Sequence, residues 1–143
     1  MRVCYSMSTV SLRRVGSVLV FALALAGRSV SSQAPTPPAS TATFTEGQAT
    51  RGGEVFGGVC LDCHSRKDIN NEDFRTKWGG RTAFDFFELI RSTMPESNPG
   101  GLERTAYLDL TAYMMQLNGL AAGSVPLPDD EAGLKKQLLA FAK

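Results

Sequence analysis

The sequence is poor in the two residues that most often bind transition metals. Its 143 residues contain one histidine, His64, and three cysteines, of which Cys4 lies close to the N-terminus. Cys60, Cys63 and His64 are therefore the only cysteine and histidine ligands in the rest of the chain. Structural zinc sites nearly always use four ligands, so a zinc site here needs a carboxylate or a second chain.

An excess of positive charge is also missing beyond the N-terminal segment. The first 34 residues hold four arginines and no acidic residue, whereas residues 35–143 hold 11 lysines and arginines against 14 aspartates and glutamates, a net charge of −3. A domain with this charge lacks the basic surface that nucleic-acid binding requires. We therefore expect no nucleic-acid partner.

No apolar segment is long enough for a transmembrane helix. The main apolar run, Val15–Ala26, follows two arginines and is shorter than the roughly 20 residues that span a membrane. A short apolar run between basic and small residues is typical of an export signal. We expect residues 1–34 to be a signal peptide, cleaved after Ala26 or Ala34, and the protein to be periplasmic. An uncleaved signal that tethers the protein to the membrane is the alternative.

The sequence shows no strand pairs and no internal repeat, and its helical patterns predict an all-α protein. Residues 35–44 are rich in Pro, Ala, Ser and Thr and are expected to form a flexible tether. A compact domain follows over residues 45–119, in which the polar residues 66–77 are expected to be loop with a helical turn at residues 72–74. Residues 120–143 are expected to form a spacer and a short C-terminal helix that packs on the domain. Apolar spacing and capping signals predict helices at Glu46–Val59, Thr82–Arg91, Glu103–Leu117 and from Asp129–Glu131, the last with Leu134, Leu138 and Phe141 on one side.

The stretch GVCLDCH places Cys60, Cys63 and His64 within five positions. Zinc, a redox disulfide and covalent haem compete as explanations, but a thioredoxin-like disulfide expects a βαβ unit that this sequence lacks. C-x-x-C-H is the attachment sequence of c-type haem. On one helical turn both thiols reach the vinyl groups of one porphyrin, and the histidine at i+4 reaches the iron. We therefore expect one haem c, bound covalently through Cys60 and Cys63, with His64 as an iron ligand.

Met94 is the candidate for the sixth iron ligand. Met114 and Met115 lie in the middle of a predicted helix, where they are expected to serve in packing. Met94 precedes Pro95, which favours an extended conformation at the end of a helix. A thioether is a soft, neutral ligand that favours ferrous iron and raises the reduction potential. The alternative is that Met94 is a hydrophobic plug in a loop.

This pattern resembles a small class I c-type cytochrome, over roughly residues 45–118. Besides the C-x-x-C-H motif, the residues that carry the resemblance are Gly52, Phe56, Leu110, Tyr113 and the stretch Thr93-Met94-Pro95. The resemblance implies a cytochrome c fold, in which about four to five short helices wrap one haem and the first and last helices cross through the glycine and two aromatics. The stretch around Met94 is similar to cytochrome domains found with quinoprotein dehydrogenases.

The resemblance extends less clearly to the surroundings of the haem. Family members often carry a proline soon after the haem histidine, and its carbonyl orients the imidazole; residues 65–77 contain none. Trp78 is either a core residue or a donor to a haem propionate, since a buried indole N–H needs a partner. Arg81 is either a solvated loop residue or a partner of the same propionate. The residues expected to line the haem, or to be plain core, are Phe74, Phe84, Phe87 and Leu89.

The resemblance implies a one-electron carrier and not an enzyme, since the protein itself would fill both axial positions of the iron. The implied partners are exported redox proteins, with a quinoprotein dehydrogenase as donor and a terminal oxidase or another cytochrome as acceptor. The alternative is a haem protein with an open or displaceable sixth position, a gas sensor or a peroxidase-like enzyme. Peroxidase chemistry needs a distal acid–base group, and this chain has no second histidine to supply one.

Overall fold

The computed structural model describes residues 40–141, so the expected signal peptide and residues 35–39 of the expected tether lie outside the described residues. The described part is mostly helical, which confirms the all-α class. No helix within it is both long and apolar enough to cross a bilayer. Its elements in chain order are β1 (Ser40–Thr41), α1 (Glu46–Val59), a 3₁₀ turn (Cys60–Asp62), α2 (Arg66–Ile69), α3 (Glu72–Trp78), α4 (Ala83–Thr93), α5 (Arg104–Leu117), α6 (Glu131–Lys135) and β2 (Gln137–Leu138).

α1 begins and ends where the sequence predicts. The Thr45 hydroxyl accepts a hydrogen bond from the Gln48 N–H at 3.3 Å, and the Gln48 side chain accepts one from the Thr45 N–H at 3.1 Å. This reciprocal pair is a capping box, which satisfies N–H groups that have no partner inside the helix. The buried Gln48 amide also exchanges hydrogen bonds of 2.8 and 3.3 Å with the backbone of Leu127. The start of α1 therefore holds the segment that follows α5.

α1 packs directly on α5. A Cβ atom added at Gly52 would overlap the Asp109 carbonyl oxygen and come within 2.8 Å of the Tyr113 Cβ. The rings of Phe56 and Tyr113 lie 5.4 Å apart between centroids, and Arg51 donates two hydrogen bonds of 2.7 and 2.8 Å to the Asp109 carboxylate. A glycine weakens a helix by about 1 kcal/mol relative to alanine. The close approach of the α5 backbone explains why α1 carries one here.

α4 begins at its predicted capping residue. The Thr82 hydroxyl accepts from the Asp85 N–H at 3.2 Å, and the Asp85 carboxylate accepts from the Thr82 N–H at 3.0 Å. The helix runs two residues past the predicted end at Arg91. Phe87 is fully buried in the core, whereas Leu89 on the opposite side is 42% exposed. α4 therefore presents an apolar residue to the surface near the end that leads to Met94.

The prediction that residues 66–77 are mostly loop is wrong, because two short helices lie there. The second, α3, begins at the helical turn predicted for residues 72–74 and extends to Trp78. Asp68 accepts a hydrogen bond from the Ser65 N–H at 2.6 Å at the start of α2, and Asn71 accepts from the Phe74 N–H at 2.8 Å at the start of α3. Side-chain caps of this kind stabilise short helices that have little apolar periodicity. The signals Ser-x-x-Asp and Asn-x-x-Phe were present in the sequence but lacked the apolar pattern that predicts a helix.

The prediction that no strands pair is wrong as well. β1 and β2 form a parallel two-residue pair, with Ser40 opposite Gln137 and Thr41 opposite Leu138. The final helix, α6, ends at Lys135 and does not continue through Leu138 as its apolar spacing suggests. Each strand is only two residues long, so neither shows the alternation of apolar and polar residues by which a strand is predicted from the sequence. Their pairing depends on the tertiary fold.

Both ends of the described chain contribute to the hydrophobic core. Ala42 and Phe44 are buried, at 5% and 0% exposure, so residues 40–44 are part of the fold and not of a flexible tether. Leu127, Leu134 and Leu139 are also buried, at 3%, 0% and 1%. The expected packing of the C-terminal segment on the domain is confirmed, and residues 120–141 share the core with the preceding helices.

Candidate functional site

The C-x-x-C-H sequence folds as one compact turn that continues from α1. The carbonyl oxygen of Cys60 accepts hydrogen bonds from the N–H of Cys63 at 3.2 Å and from the N–H of His64 at 2.9 Å. The Cys60 side chain is half-buried and packs against the core, whereas Cys63 and His64 are exposed. Burial raises the pKa of the Cys60 thiol, because the thiolate loses hydration there. The turn therefore half-buries the Cys60 thiol and presents Cys63 and His64 outward.

The chain after His64 is fixed by capping. The pKa of Asp68 is lowered mainly because its carboxylate accepts a hydrogen bond from the Ser65 backbone N–H. A hydrogen bond from the Ser65 hydroxyl and the nearby charge of His64 lower that pKa further. His64 therefore lies close to the start of α2. Within residues 40–141 the His64 imidazole makes no hydrogen bond, so no described carbonyl orients it.

α2 is tied to α5 at both of its ends. The Arg66 Nε donates to the Tyr113 hydroxyl at 3.0 Å, and the Asn118 Nδ2 donates to the Ile69 carbonyl at 2.7 Å. Asn118 is 5% exposed, and its Oδ1 has no hydrogen-bond partner in the described part of the chain. α5 therefore holds the segment that follows His64 through the side chains of Tyr113 and Asn118. The sequence assigned Tyr113 only to helix packing and gave no role to Asn118.

Met94 has the backbone conformation that the sequence predicts. It follows the last residue of α4 with φ −126° and ψ 149°, and its N–H donates to the Ile90 carbonyl at 2.9 Å. Its side chain is 37% exposed, whereas Met114 and Met115 are 6% and 1% exposed in the core, which confirms their packing role. Of these three methionines, Met94 is the exposed one.

The Met94 segment is also attached to α5. The Tyr107 hydroxyl donates a hydrogen bond of 2.6 Å to the Met94 carbonyl oxygen. Tyr107 and Tyr113 are six residues apart, so the two hydroxyls attach to α5 at points about 9 Å apart along its axis. α5 is thus the common support of the segment carrying His64 and of the segment carrying Met94. The sequence reasoning missed Tyr107, although Tyr107, Thr111, Met114 and Asn118 follow one another at helical spacing.

Trp78 is a core residue, as one of its two readings proposed. It is 4% exposed, and its ring lies edge-on to Phe86 at 4.9 Å and tilted toward Phe74 at 6.3 Å between centroids. The Arg81 guanidinium stands 5.1 Å and the Lys77 ammonium 5.5 Å from the indole centroid. In the described residues the indole N–H has no hydrogen-bond partner. Its proposed bond to a propionate stays a prediction.

An open groove adjoins Trp78 along the exposed side of α4. Its lining residues are Trp78, Arg81, Phe84, Asp85, Glu88, Leu89 and Ser92. Its lining therefore combines aromatic and aliphatic side chains with one arginine and two carboxylates.

The sequence and the structure were compared with protein-family models, with curated proteins and with solved structures, and none of the three comparisons finds a match. Within residues 40–141, no three or more His, Cys, Asp or Glu side chains are grouped so that they could hold a metal ion. The candidate donors are one imidazole, two thiols on the adjacent turn and the thioether of the exposed residue Met94 on another segment. Those donors fit a covalently attached haem better than a bare metal ion, because haem supplies four of the six iron ligands itself.

Proposed function

We propose that this chain is a monohaem c-type cytochrome of class I, which carries one electron at a time between exported redox proteins. Cys60 and Cys63 would hold one haem c through thioether bonds, and His64 and Met94 would be the axial ligands of its iron. The observation that carries the proposal is the closed turn at Cys60–His64, which supports two thiols and an imidazole within five residues.

The surrounding residues support this ligand set. The crossing of α1 and α5 at Gly52 fixes the end of α1 from which the turn emerges. Tyr113 holds the chain after His64, and Tyr107 holds the chain at Met94, so both axial donors are carried by segments attached to one rigid helix. Preorganised ligands lose little conformational freedom on binding.

Haem held in this way supplies an iron that changes between the ferric and ferrous states by a single electron. The protein's part is to keep both axial donors in place, so that electron transfer needs no ligand exchange, and to exclude substrates from the metal. The apolar Leu61 and Leu89 lie at the surface at 39% and 42% exposure. They suit the small, transient contacts that redox partners make. The partners proposed are a quinoprotein dehydrogenase as donor and a terminal oxidase or another cytochrome as acceptor, in the periplasm.

The visible spectrum of the protein, produced with haem-maturation machinery, tests the ligand set. We expect sharp low-spin bands and the weak far-red absorption of ferric iron bound to methionine sulfur. Met94→Ala should abolish the far-red absorption. Met114→Ala is the matched control, because Met114 is buried in α5, and it should retain the absorption.

High-spin iron in the native protein, or rapid carbon monoxide binding to its reduced form, would contradict His64/Met94 ligation. Either result would favour the second candidate, a haem protein with an open or displaceable sixth position. The observation that favours this second candidate is that Met94 is 37% exposed.

A further inference from the structure

One buried hydroxyl joins the two ends of the loop that begins at Met94. The Tyr107 Oη donates to the Met94 carbonyl oxygen at 2.6 Å and accepts a hydrogen bond from the Leu102 N–H at 3.3 Å. Tyr107 is 1% exposed and belongs to α5, which packs on α1. The nine residues from 94 to 102 are therefore closed into a loop whose two ends meet at a single side chain.

The remainder of the loop has little contact with the core. Residues 96–101 are all exposed, and the two turns within them are held by the Asn98 N–H to the Pro95 carbonyl at 2.9 Å and the Gly101 N–H to the Asn98 carbonyl at 3.0 Å. These hydrogen bonds shape the loop but do not attach it to the helices. Attachment comes at its ends, from the last turn of α4 and from Tyr107.

We propose that Tyr107 is a positioning residue for the sixth iron ligand: by clamping the Met94 carbonyl and the Leu102 amide to α5, it keeps the Met94 thioether on the iron. This inference rests on the proposed His64/Met94 ligation. A thioether on a loose loop competes poorly with an external ligand, because ordering the loop costs conformational entropy each time the bond forms. A clamped loop has already lost that freedom.

The competing ligand imidazole provides the test on the ferric, haem-loaded protein. Imidazole displaces methionine from the sixth position, and the loss of the far-red absorption measures its apparent affinity. Tyr107→Phe keeps the ring and removes the hydroxyl. A net hydrogen bond contributes about 0.5–1.5 kcal/mol, so imidazole should bind about two- to tenfold more tightly to this variant.

Thr111→Val is the matched control. It removes a buried hydroxyl from the same helix, and that hydroxyl donates a hydrogen bond to the Tyr107 carbonyl within α5 and not to the Met94 loop. Its imidazole affinity should equal that of the wild type. An unchanged affinity in Tyr107→Phe, or an equal increase in both variants, would overturn the proposal. Far-red absorption missing from the wild type would instead refute the proposed ligation itself, before any variant is compared.

Hydrogen exchange on the wild-type protein gives a second test, which does not depend on the variant folding. The Leu102 N–H should be protected in the ferric protein, because its acceptor is a buried hydroxyl. Saturating imidazole should speed the exchange of the Leu102 N–H. The Gly101 N–H is hydrogen-bonded within the loop and serves as the reference for the loop turns. Equal Leu102 exchange with and without imidazole would show that the clamp is not coupled to Met94 ligation.

Discussion

Gly52 of α1 lies against the carbonyl of Asp109 in α5 so closely that a methyl group has no room between them. The two helices therefore meet backbone to backbone. Cys60 caps α1, so this crossing fixes the start of the C-x-x-C-H turn relative to α5. The position of the candidate haem attachment site thus depends on one small residue eight positions before it.

Gly52→Ala should destabilise the protein by forcing the two backbones apart. Overpacking of this kind costs about 1–3 kcal/mol. Gly57→Ala is the control, since a Cβ at Gly57 meets nothing within 4 Å. It should be neutral or stabilise the helix by about 0.5–1 kcal/mol. Urea unfolding followed by far-ultraviolet circular dichroism measures both, and equal stability of the two variants would contradict the close crossing.

Trp78→Phe should lower both the stability and the reduction potential. The smaller ring leaves space beside Phe86 and Phe74, and large-to-small core changes of one ring cost about 1–3 kcal/mol. Loss of the proposed indole donor would leave the negative charge of a haem propionate less stabilised by hydrogen bonding, and that charge then favours ferric iron more strongly. Thermal unfolding and a redox titration measure the two effects.

Phe141→Leu distinguishes the packing role of Trp78 from its proposed hydrogen bond to a haem propionate. Phe141 packs on Phe74 at 6.2 Å in the same aromatic cluster but has no N–H to donate. It should lose stability and keep the wild-type potential. If Trp78→Phe also keeps that potential, Trp78 is a core residue alone and its bond to a propionate is refuted.

The Glu88–Arg91 ion pair makes the stability of the protein depend on pH. Hydrogen bonding to the Arg91 guanidinium, at 2.7 and 3.0 Å, lowers the pKa of Glu88 below its usual value of 4.5. A lowered folded pKa means that the pair stabilises the protein above about pH 4.5 and that this contribution is lost as the pH falls through the folded value. Because both side chains are about 40% exposed, solvent screens the pair and we expect its contribution to stability to be small.

Urea unfolding of the wild type and of Glu88→Gln at several pH values checks this contribution. The wild type should be slightly more stable from pH 5 to 7, and the difference should shrink below about pH 4 as Glu88 becomes protonated. A difference that stays constant down to pH 3 would show that the charge of Glu88 contributes nothing.

Local signals predicted the long helices well. The capping box predicted at Thr82 starts α4, and α1 runs over the residues that apolar spacing assigns to it. Met94 is extended because a proline follows it. In each case the information lies within a few residues, and the tertiary structure agrees with it.

The sequence could not predict contacts that join distant segments. Phe44 stands in a stretch rich in Ser, Thr and Pro, yet it is fully buried, and its carbonyl oxygen accepts a hydrogen bond of 2.8 Å from the distant Gly123 N–H. The Tyr107 hydroxyl was missed for the same reason, since its partners lie in a loop before its own helix. The candidate axial donors follow from their chemistry in the sequence, whereas the residues that contact their segments could be found only from the fold.

The mass of the mature protein, purified from the exported fraction of cells with haem-maturation machinery, tests the central claim most directly. We expect the polypeptide mass plus one haem, resistant to extraction with acidified organic solvent, and a Cys60→Ala, Cys63→Ala double variant without the added mass. A mature wild-type chain that carries two unmodified thiols and no haem would contradict the proposed electron carrier.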